Sequence, residues 1–308
     1  MAIPFRILSP NTNLRPNLAC EITPEGVIAA RQQNAEQAVM SFAPLPPGAV
    51  RPWLGGPNLI DPALVETALG KTLDEVASRE KNLTLVVPDA AVRVLMLDFD
   101  TLPAKPQEAL PIVRFRLRKL VPFEVDDAAV SYQVMRQAGD QTHVLVTAMP
   151  GPIRAEYESA VRAAGYEPGV LLSSTVASLA ALAISEPALV VNRNGLSLTT
   201  AIAAGNELLL HRTLELSAND ELLHEELCQS VSVARAYFED TLRISPEVLY
   251  YVGPGGAQEF ERVLNDAAED GTAEDGLRVR DLVAGPAMGI TGTLPRGLAA
   301  GVTGALAR

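Results

Sequence analysis

Twice in this sequence a run of β-prone residues folds back on itself at a turn and then gives way to alternating strands and helices. The first run is Leu18 to Arg31, LACEITPEGVIAAR, two arms around Pro24-Glu25-Gly26. The second starts after Pro187: an apolar arm Ala188–Val191, a polar turn Asn192-Arg193-Asn194-Gly195, a strand Leu196–Ala203, a turn at Gly205-Asn206 and a strand Glu207–Leu216. Alternating strands and helices bury their apolar faces only in layers, so the chain reads as α/β with a repeated outline. At 308 residues there is room for about two domains.

Between the two meanders the punctuation is strong. Ser41–Pro57 holds five prolines and three glycines and predicts a loop, with Trp53 inside it as a core plug or an exposed docking point. Asp61-Pro62 predicts an N-cap and first helical position for a helix over Pro62–Lys81, with Leu64, Ala68, Leu69 and Leu73 inward. Leu83–Pro88 and Val92–Phe99 are near-continuously apolar and predict strands covered on both faces. A helix over Lys105–Leu120 carries the densest basic cluster, Arg114, Arg116, Arg118 and Lys119. A strand His143–Ala148, a helix Pro152–Ala164 stopped by Gly165, and a strand-to-helix unit Val170–Ile184 follow. Past the second meander come a helix Asn219–Leu242, with Leu222, Leu223, Leu227, Val231, Val233, Ala236 and Phe238 as its buried stripe, and a strand Val248–Val252. That strand runs into Gly253-Pro254-Gly255-Gly256-Ala257 and a helix, then an acidic loop Ala267–Glu274, and the chain closes on a small-residue helix in LPRGLAAGVTGALAR.

Composition excludes several classes. The chain is 48% hydrophobic and 20% charged, which predicts a packed core. Its net charge of −12 argues against nucleic acid as a partner. Cys20 and Cys228 stand far apart, and His143, His211 and His224 are scattered, so neither a zinc site nor a disulfide framework is expected and a reducing cytoplasm is the natural compartment. The first twenty residues lack a secretory h-region. No apolar run reaches the ~20 residues a membrane span needs, so any membrane role is expected to pass through a partner. Ser173-Ser174-Thr175 is read as a helix start rather than as a nucleophile.

The block LPAKPQEALPIVRFRLRKLVPFEVDDAAVSYQV, the block HVLVTAMPGPIRAEYESAVRAAGYEPGVLLSSTVASLAAL, YYVGPGGAQEF and the ending GLAAGVTGALAR together resemble the PilM-like family of type IV pilus assembly proteins. This family lies within the actin-like, ribonuclease-H-like superfamily and is more distantly similar to the cell-division protein FtsA. The resemblance implies a two-lobed fold with a first lobe over 1–186, an inserted subdomain at about 94–168, a second lobe over 187–290, and a C-terminal helix over 291–308 returning to the first lobe.

In such proteins two hairpin turns grip the phosphates of ATP with magnesium, each with an aspartate and a glycine, and a late glycine pair admits the adenine. By resemblance those places are Glu21 and Thr23 in the first turn, Asn192, Asn194 and Gly195 in the second, and Gly253, Gly255 and Gly256 in the third element. Glutamate and asparagine replace the aspartates, and Pro24 has no N–H to donate. The site reads as degenerate, Arg193 being the candidate phosphate partner in place of a metal. The implied function is a cytoplasmic scaffold at the inner membrane that binds the N-terminal cytoplasmic tail of a PilN-like membrane protein. Arg114, Arg116, Arg118 and Lys119 are the candidate contacts, and self-association is left open. Rival readings are an active actin-like ATPase or sugar kinase, which needs aspartate and glycine in both turns, and the cytoplasmic domain of a GspL-like secretion protein, expected to continue into a membrane helix. A dinucleotide-dependent oxidoreductase is disfavoured because Gly253–Gly256 departs from the G-x-G-x-x-G spacing.

Overall fold

The computed structural model describes residues 15–34, 37–182, 186–266, 277–283, 294 and 297–307. The expected acidic loop Ala267–Glu274, the end of the Val170–Ile184 unit and the boundary near 290 lie outside these residues. Four strands and one helix come first: β1 (Leu18–Ile22), β2 (Gly26–Gln32), β3 (Ala38–Pro44), α1 (Pro62–Val76) and β4 (Asn82–Val87). Then follow β5 (Arg93–Phe99), α2 (Pro106–Leu117), β6 (Ala129–Ala138), β7 (Gln141–Met149), α3 (Gly151–Ala163), β8 (Glu167–Ser173) and α4 (Ser174–Leu179). The remainder comprises β9 (Ala188–Asn194), β10 (Ser197–Ala204), β11 (Glu207–Glu215), α5 (Asp220–Leu242), β12 (Val248–Val252), α6 (Gly256–Asp266), β13 (Arg278–Asp281) and α7 (Ala300–Leu306).

Two five-stranded sheets repeat one pattern. Their orders are β3-β2-β1-β4-β8 and β11-β10-β9-β12-β13. In each, three antiparallel strands form a meander whose first strand pairs in parallel with the next strand along. The first sheet packs Leu18, Cys20 and Ile22 of β1 and Leu83, Leu85 and Val87 of β4 with Leu69 and Leu73 of α1 and Tyr157 of α3. The second packs Leu189, Val191, Leu198 and Ile202 with Leu227, Val231 and Phe238 of α5. A third sheet, β5-β7-β6, covers itself with Val113 and Leu117 of α2.

Several local expectations are corrected by the packing. Ser41–Pro44 belongs to β3 rather than to a loop; β3 is an edge strand, where Pro44 removes no ladder donor that the sheet needs. Along α1 it is Val65 that is buried while Leu64 is 41% exposed, and the helix ends at Val76. Along α5, Leu222 and Val233 face out and Ala234 faces in. β5 alternates instead of being buried on both faces, because it sits at the edge of the small antiparallel sheet. β9 runs on through Asn194, so the second turn lies at Gly195-Leu196, two residues later than its polar composition suggests. Trp53 does not plug the core; it is 47% exposed.

α7 packs on α4 and on β1 and β2. The contact depends on missing side chains: a Cβ at Gly304 would lie 1.8 Å from the Ala177 carbonyl oxygen, and one at Gly301 would lie 2.1 Å from Glu21 Oε2. Small residues allow this backbone approach, and it brings the end of the chain under the first hairpin.

Candidate functional site

The tips of the two meanders meet. Gly195 occupies the first position of the β9–β10 turn with φ +59°, a conformation glycine adopts without strain. Its N–H donates to Glu25 Oε1 at 2.7 Å, and a Cβ on it would come within 3.0 Å of the Pro24 ring. In the first turn, Thr23 N–H donates to the Gly26 carbonyl at 2.9 Å, and Gly26 N–H donates to the Thr23 hydroxyl at 3.2 Å and to the Thr23 carbonyl at 3.3 Å. The N–H groups of Thr23 and Gly26 thus close the turn itself. Arg193 donates to the Gly195 carbonyl at 3.1 Å.

Beneath the tips lies a buried polar network that joins both sheets. Asn192 Nδ2 donates to Ser174 Oγ and Thr175 Oγ1, each at 3.0 Å, and more weakly to Asp89 Oδ2 at 3.4 Å. Ser174 donates to Glu21 Oε1 at 2.6 Å, and Thr175 donates through both its amide and hydroxyl to Asp89. His211, from β11, brings Nε2 to 3.8 Å from Asp89, and Asn194 donates to Asn192 Oδ1 at 3.3 Å. Burial, with the Asp89 and Glu25 charges adding to it, pushes the Glu21 carboxyl up to about 7, against the opposing bond from Ser174. Burial acts on Asp89 in the same sense, but His211, 3.8 Å away, and the two bonds from Thr175 outweigh it and hold Asp89 below its ordinary range. Glu21 Oε2 faces Gly301 with no hydrogen-bond partner among the described residues.

The third element keeps its glycines and is tied to later parts of the chain. Gly253, Gly255 and Gly256 have φ of 148°, 77° and 70°. Gly253 N–H donates to the Gly297 carbonyl at 3.0 Å, and Asp281 Oδ1 accepts from Ala257 N–H at 2.7 Å, capping the start of α6.

Two cavities border this region. One, about 820 Å³, lies between the meander tips and the proline-rich loop, with Arg51, Arg93, Arg193 and Trp53 on its wall. Asn58 fixes that loop by donating to the Trp53 and Gly56 carbonyls, while Glu156 of α3 accepts from Asn58 and Leu59 N–H. The other, about 530 Å³, is a groove between β6 and β8, floored by Leu145, Met149, Leu171 and Val176 and rimmed by Arg15, Tyr132 and Arg154. Both walls are the last strands of their sheets.

The structure thus gathers Glu21, Thr23, Asn192, Asn194 and Gly195 at the meander tips and the network beneath them. None of Arg114, Arg116, Arg118 and Lys119 lines the groove. Arg114 turns inward to the Val125 and Ala128 carbonyls at 2.5 and 3.0 Å, Arg118 pairs with Asp126 at 2.8 Å, and Arg116 and Lys119 are exposed beside Phe115. Sequence reasoning missed Asp89, Glu25 and His211. Asp89 had a readable signal, since it follows the carboxyl end of a buried strand, where α/β sheets expose functional groups. Among the described residues no cluster of three or more His, Cys, Asp or Glu could hold a metal.

No protein-family model matches the sequence, and no curated protein does. Among solved structures, a chain of a PilM-PilN type IV pilus biogenesis complex superposes with a TM-score of 0.70, at 20% identity over 86% of this chain and 88% of that one. A Bacteroides thetaiotaomicron protein described as having an actin-like ATPase fold and unknown function aligns at a TM-score of 0.46, with 9% identity over 88% and 94%.

The fold is that of the chain from the PilM-PilN complex, α/β with two repeated five-stranded sheets.

The cytoplasmic domain of EpsL, an inner-membrane component of the Vibrio cholerae type II secretion system, aligns at a TM-score of 0.46 and 11% identity over 87% and 98%. The two repeated sheets meet at their meander tips, and the β5-β7-β6 sheet adds the wall that makes the groove. Among the described residues no helix is long and apolar enough to cross a membrane.

Proposed function

We propose that this actin-like chain is an assembly scaffold of a type IV pilus or related secretion machine, and that it takes up the N-terminal cytoplasmic tail of a PilN-like inner-membrane protein in the groove between β6 and β8. The observation that carries this reading is that two sheet edges, each without a further strand among the described residues, face one groove. An extended peptide gains backbone hydrogen bonds from either edge, while Leu145, Met149, Leu171 and Val176 offer an apolar floor for alternate side chains. The fold likeness to a chain of a PilM-PilN complex supports the same reading. In it, residues 1–186 and 187–290 are the lobes, and the chain is held at the cytoplasmic face of the membrane by its partner.

The reading includes a cleft without ATPase chemistry. Donors that would meet phosphate oxygens are engaged: Thr23 and Gly26 N–H within their own turn, Gly195 N–H on Glu25, Ala257 N–H on Asp281. Asn192 donates to a carboxylate and two hydroxyls, so it stands as a donor where magnesium would need an acceptor. These residues do not fit magnesium-bound ATP.

A fluorescent peptide of the partner's N-terminal tail, titrated into the purified protein, tests the tail reading by anisotropy. Saturable binding is expected, weakened about tenfold or more by Leu171→Asp in the groove. Absence of binding to the wild type, or equal binding to Leu171→Asp, sinks it.

A further inference from the structure

We infer that the β9–β10 turn is an anion-binding site whose resident anion is this chain's own Glu25. The inference rests on the reading of the cleft as one that does without nucleotide, and it adds how the cleft does so. A glycine N–H in a turn of positive φ, with an arginine side chain beside it, is a general recipe for holding an oxyanion. Here Gly195 supplies the N–H, and Arg193, folded back onto the Gly195 carbonyl, supplies the charge. A carboxylate from the opposite meander, 170 residues away in sequence, accepts that N–H at 2.7 Å.

Three observations fit a resident carboxylate rather than a vacant seat for a soluble anion. Pro24 packs at 3.0–3.1 Å from where a Gly195 side chain would begin, so the first tip occupies the space above the second. Leu45 N–H donates to the Glu25 carbonyl at 3.1 Å, which anchors the backbone that carries the carboxylate. The second oxygen, Glu25 Oε2, is buried and without a partner among the described residues, so the Gly195 amide is the hydrogen bond that holds this carboxylate among the described residues. Glu25 thereby joins the two lobes with no bound ligand needed. Nucleotide would have to displace this contact before reaching the Gly195 amide.

The test compares wild type, Glu25→Ala and Glu25→Gln by hydrogen exchange of peptides covering Asn192–Ser197, and by thermal shift with inorganic phosphate and with ATP, both without metal. In Glu25→Ala, exchange over the Gly195 turn is expected to rise about tenfold or more, and phosphate is expected to raise the melting temperature where it leaves the wild type unmoved. Glu25→Gln keeps the shape and an accepting oxygen, so it folds as a control if the alanine variant does not, and it is expected to exchange between the other two. Unchanged exchange in Glu25→Ala overturns the inference. A phosphate response in the wild type equal to that of Glu25→Ala does so too. Tight binding and turnover of magnesium ATP by the wild type would instead overturn the scaffold reading, a distinguishable failure.

Discussion

The side-chain amide of Asn192 donates to the Ser174 hydroxyl at 3.0 Å, and so ties the first strand of the second sheet to the start of α4 beside the first. The same amide serves Thr175 and Asp89, and Ser174 in turn serves Glu21. Aspartate at 192 would lose the three bonds that the Asn192 amide donates and add a carboxylate beside two that are already buried. Asn192→Asp is therefore expected to lower stability by about 3–5 kcal/mol, read as a shift of the urea midpoint. A loss under 1 kcal/mol would mean the network does not join the lobes.

Glu21 makes stability depend on pH in a defined direction. Its carboxyl titrates near 4.5 when unfolded and near 7 when folded, so between those values the folded state keeps a proton that the unfolded state has released. Stability therefore falls as pH rises from about 4.5 to about 7 and levels off above. Asp89, held low, acts in the opposite sense and only below its ordinary 3.8. Glu21→Gln is expected to flatten the upper slope and to be more stable than wild type at pH 8, by at most about 3 kcal/mol. Unfolding measured at a series of pH values for both proteins decides the matter; parallel curves contradict it.

Gly304 and Gly70 make a matched pair. A methyl group at Gly304 would strike the Ala177 carbonyl, whereas one at Gly70 in α1 meets nothing within 4 Å. Gly304→Ala is expected to cost about 2–3 kcal/mol by forcing α7 off α4, and Gly70→Ala to gain about 0.5–1 kcal/mol from helix propensity alone. Thermal melts of the two variants should move in opposite directions.

The basic helix separates into structural and surface charges. Arg114→Ala removes a guanidinium from two carbonyls and is expected to cost about 1–3 kcal/mol, while alanine at Arg116 or Lys119 should stay within about 0.5 kcal/mol. Charge reversal at Arg116 and Lys119 is thus the clean test of a role in tail binding, since reversal at Arg114 would change the fold and reversal at Arg118 would set a like charge against Asp126. Unchanged tail affinity in that double variant would confine recognition to the groove.

Much of the fold was legible because its signals are local. The Pro24-Glu25-Gly26 turn, the Asp61-Pro62 cap, the Gly165 stop and the run of Gly253, Gly255 and Gly256 all announce a backbone conformation that only a few residue types favour. The site was legible as a set of places, since Glu21, Thr23, Asn192, Asn194 and Gly195 do come together. Their roles were not. Asn192 reads in sequence as a carboxylate lost, and in three dimensions it is a donor that two hydroxyls require.

From residue order alone the chain was committed to a repeated α/β outline and to its turns, because periodicity, caps and positive-φ glycines act within a few residues of themselves. Only tertiary packing set Leu64 outward and Val65 inward, turned Arg114 away from solvent, opened a groove between two sheet edges, and laid Glu25 on Gly195. Those outcomes depend on how elements far apart in the chain approach each other, and that is decided by which faces bury together and which polar atoms must then find partners.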